Sequence, residues 1–143
     1  MRWIVILILL CLTTAQSAWC EELVLRLGNA RINATVASTP ESRQRGLMHI
    51  RQLCENCGML FVFPQAGKHK FWMKDTPLPL SIAFISADGA IINLSEMEAN
   101  TSVTHSPQGL ALYALEMNKG WFEKYGVKAE IRIEGLQSAQ ADR

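Results

Sequence analysis

Apolar and polar residues alternate along most of this chain, and the alternation divides it into short extended segments. Leu23-Val24-Leu25-Arg26-Leu27 reads as a strand. Gly28-Asn29 is a turn signal. From Ala30 to Ala37, Ile32, Ala34 and Val36 fall on one side and Asn33 and Thr35 on the other, which predicts a hairpin. The period then changes. Thr39 suits an N-cap, Pro40 the first helical position and Glu41 the positive end of a helix, so a short helix is expected with Gly46 near its end.

Gly58-Met59-Leu60-Phe61-Val62-Phe63 is an apolar run stopped by Pro64, short and aromatic enough to predict a buried strand, with Gln65 to Lys68 as a loop. Lys70 to Lys74 alternates, with Phe71 and Met73 on one face and Trp72 and Lys74 on the other. Thr76-Pro77-Leu78-Pro79 does not suit a central strand. Ile82 to Ser86 and Ala90 to Leu94 form a second hairpin about Ala87-Asp88-Gly89, and residues 95–108 read as polar loop. Leu110 to Met117 is a strand, Asn118 caps a short helix closed by Gly126, and Lys128 to Glu134 alternates as a last strand. Many short strands and two short helices predict a mainly β single domain, sandwich or barrel-like, over residues 22–136, followed by a flexible tail at 137–143.

The N-terminus has a different pattern. One positive charge, Arg2, precedes the nine apolar residues Ile4 to Leu12, and small and polar residues follow to Ala18. This is the layout of a signal peptide over residues 1–18, with the cut falling between 17 and 20. The apolar run is shorter than the roughly 20 residues a membrane span needs, so no span is expected after signal cleavage. A periplasmic or secreted location follows as an expectation. Loss of Arg2 would take the 14 basic residues to 13, against 13 acidic ones. A near-neutral domain argues against nucleic acid as a partner, since nucleic acid rewards a basic stripe.

Oxidising surroundings change the reading of Cys54-Glu55-Asn56-Cys57. The spacing is that of a redox dithiol, but a strand follows it and no βαβ pattern surrounds it. A structural disulfide between Cys54 and Cys57 is the expectation. Met48, Met59 and Met73, with His49, His69 and His105, are donors suited to copper, yet the methionines sit in apolar stretches and read as core fillers. No metal site and no cofactor are assigned.

Four blocks of sequence carry a resemblance. They are Glu41-Ser42-Arg43-Gln44-Arg45-Gly46-Leu47-Met48; Gly58 to Phe63; Phe71-Trp72-Met73-Lys74-Asp75-Thr76-Pro77-Leu78-Pro79-Leu80 with Ile82 to Ile85 and Asp88-Gly89; and Tyr113-Ala114-Leu115-Glu116 with Gly120-Trp121. In this order they resemble the family known as domain of unknown function 192, over about residues 23–134. The resemblance implies a compact β-sandwich-like fold, often exported, and no particular activity. The family pattern has Asn where this chain has Asp75, Asp where it has Ser81, and commonly an aromatic residue where it has His105.

Candidate site residues come from charges in apolar settings. Glu116 follows Leu115 on an otherwise apolar strand, and a charge there is normally paired, so Arg43 or Arg45 is the expected partner. Trp72, Lys74 and Asp75 alternate beside the Pro-rich bend, and an outward aromatic beside charges suits stacking on a sugar or peptide side chain. Arg45, Trp72, Lys74, Asp75 and Glu116 are therefore the candidate ligand-binding set. No Gly-x-Ser-x-Gly elbow, His-Glu-x-x-His or phosphate-cradling loop is present in the sequence. The expected role is a binding or envelope-accessory module for a small molecule, glycan or envelope protein. The competing class is an envelope-substrate enzyme using Glu116 or Asp75 as acid/base.

Overall fold

The computed structural model describes residues 21–141; the signal-like segment lies outside them. Six strands, β1 (Glu22–Leu27), β2 (Ala30–Ala37), β3 (Cys57–Gly67), β4 (Leu80–Ile85), β5 (Ile91–Met97) and β6 (Ala111–Asn118), form one sheet in the order β1-β2-β3-β6-β4-β5. Two short helices, α1 (Pro40–Arg45) and α2 (Trp121–Lys124), complete a mainly β domain. No helix among the described residues is long and apolar enough to cross a membrane.

The β1–β2 hairpin follows the alternation, with Leu25 across from Ile32 and Leu27 across from Ala30. Gly28 takes a left-handed φ of 60° at its turn, a conformation that costs a side-chain-bearing residue energy. β2 and β3 then pair in parallel, from Asn33 opposite Cys57 to Ala37 opposite Phe61. Parallel neighbours need a crossover, and α1 with the loop after it supplies one. Thr39 caps α1 as expected: its Oγ1 accepts from the Ser42 amide at 3.1 Å, while Ser42 Oγ accepts from the Thr39 amide at 3.0 Å.

β3 does not stop at Pro64. It runs on to Gly67, and its pairing with β6 shifts register between Val62 and Gly67. Pro64 lies in that irregular stretch, where the missing amide leaves no ladder bond unmade. Lys70 to Lys74 alternates as expected but is not a strand; it is tied by an isolated bridge between Phe71 and His105 and by the Met73 amide, which donates to the Thr101 carbonyl at 3.1 Å. β5 extends to Met97, into the segment expected as loop, because its partner β4 begins earlier, at Leu80.

The expected last strand is an extended segment that reaches both ends of the sheet. Arg26 and Glu134 exchange backbone hydrogen bonds at 3.0 Å, while the Ile91 and Ile133 amides donate to the carbonyls of Ile131 and Gly89 at 2.9 Å. The sheet is thus unclosed as a ladder, and a few bridges tie its ends together. Beyond this segment, a single 3-10 turn at Leu136–Ser138 buries Leu136, and Ala139 is buried after it; both pack on the core. Their apolar side chains anchor residues expected to be a tail.

Strand alternation gives the sheet two buried faces. One carries Leu25, Ile32, Leu60 and Leu115 and is covered by Trp121 and Phe122 of α2. The other carries Phe61, Ile82, Phe84 and Ala114 and packs against Leu47, Phe71 and Met73. The second face holds the candidate site.

Candidate functional site

Glu116 lies on central strand β6, opposite Met59 of β3 and Ile82 of β4. Residues two apart on a strand share a face, so Glu116 sits on the side of Ala114, among Phe61, Ile82 and Phe84. It is only 4% exposed. Among the described residues it forms neither an ion pair nor a side-chain hydrogen bond. The expected pairing with an arginine does not occur. The Arg43 guanidinium instead donates to the carbonyl oxygens of Ser38 and, at 2.9 Å, Val62, and lies 5.4 Å from the centre of the Phe63 ring.

Burial answers the charge problem in another way. Removal from water pushes the Glu116 carboxyl up to about 8, so at neutral pH it is mostly a neutral acid. A neutral carboxyl both donates and accepts hydrogen bonds.

Glu116 contributes to the lining of a pocket of about 260 Å³. Arg43, Gln44 and Arg45 border it from α1, with Gly46, Leu47 and Met48 just beyond; Phe61 and Phe63 of β3 and Lys70, Phe71, Trp72 and Thr76 complete it. α1 buries none of its residues, so it serves as a rim. Trp72 is 51% exposed while its neighbours Phe71 and Met73 are buried, as the alternation implies. A smaller hollow of about 160 Å³ shares Lys70, Phe71 and Trp72 and adds Thr104.

The structure therefore brings together Arg45, Trp72 and Glu116. Lys74 lies outside the lining, although its ammonium stands 5.6 Å from the centre of the Trp72 ring. Asp75 is exposed and outside it too. Its φ of 52° forms a turn in which its carbonyl accepts from the His49 amide at 2.8 Å. Lys70, Thr76, Phe61 and Phe63 join the site from outside the candidate set. The face shared by Met59, Phe61 and Phe63 with Glu116 was the available signal, once β3 and β6 are paired.

The other singled-out residues have separate positions. Ser81 is fully buried on the face opposite Glu116, donating to Glu96 Oε1 at 2.6 Å and accepting from the Gly120 amide at 2.8 Å. His105 Nδ1 is 2.8 Å from Ser95 Oγ. The sulfurs of Cys54 and Cys57 are 1.99 Å apart, disulfide distance. Asn56, inside that turn, accepts from Trp121 Nε1 at 2.9 Å and from the Tyr125 hydroxyl at 3.1 Å, so the turn docks α2. Met73 fills the core beneath Phe71.

These features define a small β domain with one sheet face hollowed over a buried acid. Its sequence matches the model of domain of unknown function 192, an uncharacterized ACR family, over residues 23–135, and the chain belongs to that family. No curated protein matches it. Among solved structures it is similar to a candidate transcription regulator from Sinorhizobium meliloti 1021, with 30% identity and a TM-score of 0.75 over 80% of this chain and 92% of that one. It is also similar to a protein of unknown function from Novosphingobium aromaticivorans DSM 12444, with 25% identity and a TM-score of 0.72 over 79% and 83% of the two chains.

Proposed function

We propose that this protein is an exported binding module whose pocket over Glu116 takes a small ligand. The observation that carries the reading is a buried carboxyl, without a partner among the described residues, at a pocket bordered by Arg43, Arg45, Lys70 and Trp72. Folding tolerates a lone buried acid at a cost, and a ligand that hydrogen-bonds it recovers part of that cost. The lining sets apolar walls from Leu47, Phe61, Phe63 and Phe71 beside the polar and charged groups of Arg45, Lys70, Thr76 and Glu116, a mixture that suits an amphipathic small molecule. The description of the Sinorhizobium protein as a transcription regulator gains no support from this chain's charge, 14 basic residues against 13 acidic. Export rests on the signal-like segment before Trp19 and is tested by N-terminal sequencing of the protein from the periplasmic fraction.

The test of the pocket is a thermal-shift screen against glycans, peptides, nucleotides and metals. A ligand at 100 times its Kd stabilises the native state by about 2.7 kcal/mol. Hits that persist unchanged in both Glu116→Gln and Arg45→Ala refute the assignment of the pocket.

A second reading has one observation in its favour. An acid raised to about 8 is poised for proton donation near neutral pH, as an envelope-substrate enzyme would require. Under that reading Glu116→Gln retains ligand binding and loses turnover.

A further inference from the structure

The pocket and the smaller hollow beside it meet at the same three residues, Lys70, Phe71 and Trp72. A ligand that occupies both passes over these shared residues, of which Trp72 presents the exposed aromatic ring. That ring faces out because Phe71 and Met73 take the core side of the segment. Aromatic faces of this kind suit the apolar face of a sugar ring, whose edges still offer hydroxyls.

Charge narrows the class. Arg43, Arg45 and Lys70 border the main pocket, and Lys70 borders the second as well. The one acid in either lining, Glu116, is held neutral by its burial. Arg43 is engaged by carbonyl oxygens and the Phe63 ring, whereas Arg45 and Lys70 are exposed. The site is therefore cationic at its mouth and offers a neutral carboxyl within, beside the Thr76 hydroxyl, which donates to the Lys74 carbonyl at 3.0 Å and can still accept. An acid group at the mouth and hydroxyls inside satisfy both.

A peptide fits less well. The pocket lies on a sheet face, above β6, which is already paired on both sides by β3 and β4. An added peptide strand needs a free sheet edge for its main chain.

We infer that the ligand is an acidic oligosaccharide of at least two units, one seated over Glu116 and the next beyond Trp72, with its acid group at Arg45 and Lys70. This rests on the pocket being a binding site. The test is an array of uronate-, sialate- and phosphate-bearing oligosaccharides of one to four units beside neutral counterparts, probed with the purified protein and followed by calorimetry on the strongest signal. Acidic glycans are expected to bind, with the two-unit form at least 10-fold tighter than the single unit. Trp72→Ala is expected to abolish that 10-fold gain, weakening the two-unit glycan more than the single unit, with the urea midpoint unchanged. Lys70→Ala weakens acidic glycans; the uronate and phosphate arms show which acid group is preferred. Equal binding of neutral glycans, equal binding of one and two units, or no glycan signal overturns the inference. If a different ligand class then stabilises the protein in a Glu116-dependent way, the pocket reading survives that failure.

Discussion

Gly58 lies so close to the backbone of Glu116 that a Cβ on it would stand 2.4 Å from the Glu116 carbonyl oxygen and 2.4 Å from Met117 Sδ. A backbone oxygen in a paired central strand has little freedom to retreat. Gly58→Ala is expected to cost about 3 kcal/mol, the upper end of common overpacking penalties, and to displace β6 at the pocket floor. Gly28→Ala is the contrasting case. Its φ of 60° is strained for alanine but nothing lies within 4 Å, so a cost of about 1 kcal/mol is expected. Urea unfolding of the two variants compares them; equal losses would refute the steric account of Gly58.

The buried acid makes stability depend on pH with a definite sign. The folded-state value of about 8 lies above the ordinary 4.5, so the unfolded chain releases this proton first. The contribution is full below about 4.5 and is lost progressively as pH rises to about 8, at up to about 1.4 kcal/mol per pH unit. Glu116→Gln cannot ionise and should flatten the urea midpoint across that window. A wild-type midpoint that rises from pH 5 to pH 8 while the variant's stays level would contradict the assignment.

The turn closed by Cys54 and Cys57 spans only three residue steps. Chain entropy then gives the cross-link about 2 kcal/mol, a value that grows only slowly with loop length. Cys57→Ser should lower stability by about that amount and leave the pocket intact, since Asn56 and its α2 partners lie on the far side of the disulfide turn from Glu116's sheet face. A reduction potential near those of thiol oxidoreductases would instead revive a redox role.

α1 is six residues long, too short to persist without its cap. Thr39→Ala removes the acceptor for the Ser42 amide and should cost about 1 kcal/mol. Because Arg45 rides on this helix, ligand affinity should fall as well, and Thr39→Ser should restore both. Calorimetry showing unaltered affinity in Thr39→Ala would remove α1 from the binding surface.

Local patterns were legible where local physics decides. The β1–β2 hairpin follows from alternation about Gly28, and α1 from Thr39 and Pro40. The parallel pairing of β2 with β3 was not legible, because nothing in either segment states which neighbour it takes. Pro64 marks a break in the ladder rather than the end of β3. Trp72 was placed outward correctly by alternation, although its segment is bridged and not a strand. Glu116 stands out in the sequence as a charge out of place, but the arginine pairing that the sequence suggests does not form among the described residues. An acid among apolar residues can find a counter-ion or keep its proton, and the choice depends on where Arg43 points, which only the fold determines.

The reciprocal hydrogen bonds between Arg26 and Glu134 join residues from opposite ends of the domain. A ribosome releases Arg26 long before Glu134 exists, so the ends of this sheet stay open throughout synthesis. Open strand edges are templates for other chains, and contacts this distant in sequence form slowly. Residues 131–134 thus act as a fastener applied after the strands that they join. A chain lacking them carries two raw edges into whatever compartment receives it.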